Sequence, residues 1–402
     1  MSTAVDGAVD GREGDFVNDL ASYRQGLRAF LADADWIGDW RGAAFDNLED
    51  SMRHDGEVLA RLYAAGWNRY GWPEDAGGFG GSELHRAVFY EELAVALLPV
   101  PRQQWSLETL GPATLKFAPP LAREYLPRYL SGAEWWGQGF SEPESGSDLA
   151  SLRTRAVDDG DGNFVINGQK IWTSDGPTAT RLVVLARTGT VESRHRGLTM
   201  FLVNADTPGL TVRPITMASG RRELAELFFD DVRVPKERLI GPVDGAWGVT
   251  MYLMQYERGI YGYGVATKLL TELGRLRNRM NKLGLGAAER AQFGRVYAAA
   301  LAAQARSAGT VRRLAAQTEI GPDSSIDKLL FTRTEKEVSD LILDLDRAWL
   351  ITGSGGHGRC ELNTERGHWW YSRAATIMGG TAEIQRGIVA DHILGLPKEG
   401  RK

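Results

Sequence analysis

Hydrophobic positions change period twice along the chain. From Asp15 to Glu134 the spacing is helical, with Phe16, Leu20, Leu27, Phe30 and Leu31 recurring on one face. A further helix is predicted over Leu84–Leu98. Ser82 suits its N-cap, Glu83 its first turn, and Pro99 and Pro101 stop it. The glycine-rich run Gly77-Gly78-Phe79-Gly80-Gly81 ahead of it reads as a turn. From Trp135 to Glu237 short apolar and β-branched runs take over. Phe164–Ile166, Leu182–Leu185, Leu198–Val203, Leu210–Val212 and Leu227–Val234 read as strands, separated by turn clusters such as Asp158–Asn163 and Ala205–Gly209. Strands this closely spaced, with no helix between them, predict an antiparallel barrel or sandwich and not a parallel βαβ sheet. Beyond Arg238 helical spacing returns. A long helix starts near Ala246 and carries Leu269, Leu273 and Leu276. Ala287–Ala316 reads as one alanine-rich helix. Val338, Leu341, Ile342, Leu345, Ala348 and Trp349 mark another. The expected fold is therefore α+β and multidomain: an N-terminal helical domain (15–134), a middle antiparallel β-barrel-like domain (135–237) and a C-terminal four-helix bundle (238–397).

Charge and composition remove several classes of function. The 402 residues hold 47 Lys and Arg against 52 Asp and Glu, a net charge of −5. That balance gives no long-range attraction to nucleic acid or to an anionic membrane. The single cysteine, Cys360, excludes an internal disulfide and a multi-cysteine metal site. The six histidines show no metal-ligand spacing, so no metal is expected. The first fifteen residues lack the basic start and apolar run of a secretory signal, and no stretch approaches ~18 apolar residues. A cytoplasmic protein is expected.

Gly353-Ser354-Gly355-Gly356-His357-Gly358 matches a dinucleotide fingerprint in letters only. It follows a helical pattern instead of a strand, so it reads as a helix-terminating loop whose backbone N–H groups can approach a phosphate. No GxSxG elbow supports a hydrolase. Two stretches at the helical–β border carry more chemistry. Phe140-Ser141-Glu142-Pro143-Glu144-Ser145-Gly146-Ser147-Asp148 is a hydroxyl-bearing turn. Gly168-Gln169-Lys170-Ile171-Trp172-Thr173-Ser174-Asp175-Gly176 ends a strand in an aromatic and two hydroxyls. An aromatic face beside short polar groups suits a planar heterocyclic cofactor.

These two stretches resemble the flavin-binding signatures of the acyl-CoA dehydrogenases. Gly71-Trp72-Pro73-Glu74-Asp75-Ala76-Gly77-Gly78, Phe229–Pro235, and Gly380-Thr381-Ala382-Glu383-Ile384-Gln385-Arg386 with Leu394–Pro397 resemble further family motifs, in the family's order. The resemblance runs from Asp15 to Pro397. It implies an FAD enzyme that oxidises an acyl-CoA to the trans-2-enoyl-CoA and passes electrons to an electron-transferring flavoprotein. It implies a flavin site at Phe140, Ser141, Ser147, Trp172, Thr173 and Ser174. Gly355, Gly356, Thr381 and Glu383 match positions near the adenosine pyrophosphate. Ser147, Arg258 and Gly379 match positions near the substrate.

Two departures qualify the resemblance. Many members carry the catalytic glutamate just before the Gly-Thr of the C-terminal signature, where this chain has Gly379. Glycine cannot be the base, although its backbone N–H remains available to polarise a thioester carbonyl. A smaller branch places the base before an arginine on the first helix of the C-terminal domain, which here reads Gln255-Tyr256-Glu257-Arg258. Glu257 is the expected base. Arg290, Phe293 and Gly294 imitate the ordinary family's pyrophosphate motif but sit inside the alanine-rich helix, and Thr352 stands where many members have a glutamine. In these respects the chain resembles divergent bacterial members acting on bulky or branched acyl groups, steroid side chains among them. Some of those form α2β2 heterotetramers with one subunit carrying the base, so the resemblance implies a homotetramer or an α2β2 heterotetramer with a related subunit. An oxidase on the same scaffold and a non-catalytic flavin-binding or partner subunit are the alternatives.

Overall fold

The computed structural model describes residues 19–43, 45–284, 286–345, 347, 351 and 359–397. The N-terminal part is helical: α1 (Leu20–Asp33), α2 (Ile37–Gly42), α3 (Leu48–Ala64), α4 (Glu83–Val95), α5 (Arg102–Phe117) and α6 (Pro119–Leu130). Ser82 caps α4 as expected. Its hydroxyl accepts from the Leu84 N–H, and the Ser82 N–H donates to His85 Nδ1 in return.

The middle part is a curled seven-stranded sheet: β1 (Trp136–Gly139), β2 (Arg155–Asp158), β3 (Asn163–Ser174), β4 (Arg181–Arg187), β5 (Leu198–Asn204), β6 (Leu210–Ile215) and β7 (Leu224–Pro235). The order is β1-β4-β2-β3-β7-β6, with β5 also on β4. Most pairings are antiparallel, as expected. β1 instead runs parallel to β4, and β2 touches β4 in parallel at Arg155 and Arg187. The intervening β2–β3 hairpin supplies the long crossover that a parallel pair requires. β1 and β2 lie outside the strands expected from the sequence. Trp-Gly-Gln-Gly and Arg-Ala-Val-Asp are short and poor in β-branched residues.

The C-terminal part comprises α7 (Ala246–Tyr256), a π-helical turn (Glu257–Tyr261), α8 (Gly262–Leu283), α9 (Ala287–Ala315), α10 (Ser324–Leu345), α11 (Arg359–Ala375) and α12 (Ala382–His392). Leu269, Leu273 and Leu276 of α8 pack with Ala300, Phe331, Val338, Leu341 and Ile342 in the bundle core. The long helix expected from Ala246 is thus broken by the π turn. A Cβ on Gly262 would come within 2.8 Å of the Phe331 ring, so glycine is what lets α8 approach α10 directly after the turn. Ala348, Trp349 and the Gly353–Gly358 motif lie outside the described residues.

One buried ion pair joins the two signature turns. Lys170, fully buried on β3, donates to the Phe140 carbonyl (3.1 Å) and to Glu142 Oε1 (2.9 Å). Glu142 also accepts from the Arg153 and Thr154 N–H groups (2.7 and 2.8 Å), and the Ile171 N–H donates to the Ser141 carbonyl (2.9 Å). Burial pushes the Lys170 ammonium down to about 8 against the pull of Glu142. Burial pushes Glu142 up, but Lys170 and the N–H donors prevail and hold it below the usual carboxylate range. Lys170→Met strands a buried carboxylate, at a cost of ~3–5 kcal/mol. We expect a lowered melting temperature, with partial recovery in Lys170→Met/Glu142→Gln. An unchanged single variant contradicts the tie.

Candidate active site

The Trp172 turn is built from backbone irregularity. The β3–β7 register shifts between Lys170 and Thr173, and Trp172 adopts φ +64, a conformation that an aromatic residue rarely takes. The bulge turns the indole outward, leaving Trp172 56% exposed between half-buried Ile171 and buried Thr173. Ser174 is exposed next to it, and Thr173 is fully buried with its hydroxyl unpartnered among the described residues. Phe140 is buried and Ser141 half-buried across the Lys170 tie. Ser147 is exposed further along the same turn. An open indole face flanked by short hydroxyls, held on a strained bulge, fits a planar ring with a polar edge.

A second group lies on the C-terminal helices. Glu257 opens the π turn, a geometry found disproportionately at functional sites. Its half-buried carboxylate has no hydrogen-bond or ion-pair partner among the described residues. Gly379 has φ +61, and a Cβ there would fall inside the envelope of Glu257 Oε1. The carboxylate therefore fills the space that a side chain at 379 would need. Gly379 and Gly380 accept through their carbonyls from Gln385 Nε2 (3.3 Å each), while neither N–H donates to another described residue. Those amides are donors held in place and left open. Arg258 lies beside Gly380, and its Nε is buried without a partner among the described residues. Burial pushes its guanidinium down from the ordinary value, with Glu257 opposing.

The start of α5 joins the two groups. Arg102 donates to Asp175 (2.6 Å), which closes the Trp172 turn, and to Glu223 (3.2 Å). One turn on, the Trp105 ring meets Tyr261 of the π turn edge-on at 5.2 Å. Phe140, Ser141, Trp172, Thr173 and Ser174 thus form one cluster, and Glu257, Arg258 and Gly379 another. Thr381 sits at the N-cap of α12, accepting from the Ile384 N–H, and Glu383 is exposed beside it. Both follow directly on Gly379–Gly380, and no described contact brings them to the Trp172 turn. Gly355 and Gly356 lie outside the described residues. Sequence reasoning overlooked Lys170 as a tie and Gln385 as the clamp on the glycine carbonyls. Both stand inside the quoted motifs, which is the one signal that points to them. Among the described residues no group of three or more His, Cys, Asp and Glu is placed to hold a metal, and no helix is long and apolar enough to cross a membrane.

Comparison with known proteins adds to this geometry. The acyl-CoA dehydrogenase N-terminal domain matches residues 24–133, and the acyl-CoA dehydrogenase middle domain matches residues 137–232. Acyl-CoA dehydrogenase IpdE1 of Mycobacterium tuberculosis is 35% identical over 96% of this chain and 100% of the relative. Its namesake from Mycolicibacterium smegmatis is 34% identical, covering 95% and 99%. Among solved structures, the Tcur3481-Tcur3483 steroid ACAD superposes with a TM-score of 0.79 at 26% identity, covering 94% of this chain and 98% of that one. The ChsE4-ChsE5 complex from Mycobacterium tuberculosis gives 0.74 at 26%, with the same coverage. Near full-length likeness to curated relatives, on a helix–sheet–bundle fold with both family domains in order, has one reading: the chain belongs to the acyl-CoA dehydrogenase family.

Proposed function

We propose that the protein dehydrogenates a bulky or branched acyl-CoA to its trans-2-enoyl-CoA, with Glu257 as the base. Family membership implies FAD. The exposed Trp172 indole and the Ser141 and Ser174 hydroxyls fit its ring system. Phe140, Thr173 and Ser147 complete that cradle, and Thr381, Glu383, Gly355 and Gly356 are assigned to its pyrophosphate end. Bound FAD supplies the acceptor for the hydride that leaves the β-carbon. Glu257 takes the α-proton. The α-C–H of a thioester is a weak acid, so its removal requires charge stabilisation at the carbonyl oxygen. We assign this to the open Gly379 N–H, and the hold on the thioester's polar portion to Arg258. The proton goes to Glu257 as the electron pair leaves with the β-hydrogen, which balances the two-electron oxidation.

The observation that carries this reading is the exchange at Gly379. An acid is absent from one helix junction, and the carboxylate of Glu257 stands in the vacated volume. The word steroid in the name of one structural relative and the two-component names of two of them support a large acyl group and an assembly with a related subunit. An electron-transferring flavoprotein is the proposed electron acceptor. Anaerobic mixing of the FAD-loaded protein with isobutyryl-CoA, octanoyl-CoA and a steroid-carboxyl-CoA should bleach the flavin, fastest with a branched or steroid thioester. No bleaching by any of them, with or without a related subunit, removes the assignment.

Glu257→Gln keeps the size and removes the proton affinity, so flavin reduction should slow by at least ~10²–10⁴-fold. Acyl-CoA binding should persist. In a Glu257→Gly background, Gly379→Glu should restore part of the rate by returning a carboxylate to the same volume. Undiminished reduction in Glu257→Gln overturns the role.

A further inference from the structure

A buried cation stands behind the proposed base. Lys328 lies near the start of α10 and is 6% exposed. Its Nζ donates to the carbonyl of Ala375 (3.3 Å), the last residue of α11, and sits 5.1 Å from the Phe331 ring centroid. The chain then turns through residues 376–378 to Gly379. A Cβ at Gly379 would be 3.5 Å from Lys328 Nζ and in collision with Glu257 Oε1. Ammonium and carboxylate are therefore within about 6 Å of each other, inside the range where an opposite charge favours ionisation. They form no direct ion pair, which leaves Glu257 free to meet a substrate.

An ammonium removed from water is costly unless its charge is used. One carbonyl bond at a helix C-terminus accounts for one of its three donors. The π turn brings Glu257, Arg258 and Tyr261, and α11 brings Tyr371. Glu335 is on α10 itself. Lys268 and Glu272 of α8 engage His368 of α11. Asp327, next in sequence, is engaged by Thr310 and Arg306 of α9, and Asp323 before α10 by Arg313. On α12, Glu383 and Arg386 pair at the exposed side, leaving Gln385 inward. Glu257 and Glu335 are thus the carboxylates that Lys328 serves.

We propose that Lys328 is a positioning residue for the dehydrogenation, its buried ammonium holding the Glu257 carboxylate over Gly379 by charge attraction until substrate arrives. The proposal rests on Glu257 being the base. Burial pushes the Lys328 ammonium below its ordinary value, and Glu257 is the strongest influence opposing that shift. Removing the cation releases the carboxylate from its place over Gly379, so the step that needs Glu257 in that place slows.

The test is single-turnover flavin reduction by the FAD-loaded protein with the thioester of the three above that bleaches fastest, over a range of thioester concentrations. Lys328→Met should lower the limiting rate of reduction at least ~10-fold and leave the half-saturating thioester concentration within about 2-fold. Lys328→Arg, which keeps the charge, should restore the rate. If Lys328→Met does not load FAD, Lys328→Gln keeps a donor for Ala375, removes the charge and should show the same loss. An undiminished limiting rate in the charge-removing variant, or no rescue by Lys328→Arg, overturns the proposal. Glu257→Gln measured alongside separates the two claims. Slow reduction there with an undiminished rate in Lys328→Met refutes Lys328 alone, and rapid reduction there refutes both.

Discussion

One small volume above Gly379 organises the half of the molecule to which we assign the proton transfer. It can hold a side chain from the α11–α12 junction or the Glu257 carboxylate from the π turn, but not both. With glycine at 379 the junction contributes only backbone, in a left-handed conformation that glycine takes without strain. On the proposed reading the acid comes from the facing helix, where the π turn carries Glu257. Gln385 fixes the carbonyls of the same junction, so its amides keep one orientation. Acid and N–H donors thus meet over one point although they arise from different helices.

The other half depends on strain held in place by buried charge. Trp172 sits in an unfavourable backbone region at a bulge, and Lys170 and Glu142 anchor the strand immediately before it. A buried ion pair is poor evidence for extra stability, since a hydrophobic pair of similar volume often does as well. Its consequence here is geometric: it binds the Phe140–Ser141 turn to the Trp172 turn across the sheet. Arg102 then connects that cluster to α5, whose Trp105 packs on Tyr261. A rigid helix end spans the gap between the aromatic platform and the carboxylate.

Much of this was legible in residue pattern. The Ser82 cap, the apolar strand runs and the alanine-rich α9 are local signals, and local physics was enough to place them. Glu257 and Gly379 were legible as a complementary pair because one lacks what the other has. β1 and the parallel β1–β4 pairing were not, since Trp-Gly-Gln-Gly has no strand signature and is held by its neighbours. The π turn also escaped, because periodicity resolves a helix but not one extra residue in a single turn. Lys170 and Lys328 escaped for a different reason. A lysine reads as a surface residue from sequence, and only tertiary contacts show that these two are buried beside carboxylates.

The central claim is that Glu257 removes the α-proton. The most direct measurement separates that step from hydride loss. A thioester with no hydrogen on its β-carbon, such as 3,3-dimethylbutyryl-CoA, can lose the α-proton but cannot be oxidised. Incubated in D₂O with the FAD-loaded protein and analysed by mass spectrometry, it should gain α-deuterium with the native chain and gain it far more slowly with Glu257→Gln. Equal deuterium uptake by the two proteins would contradict the account.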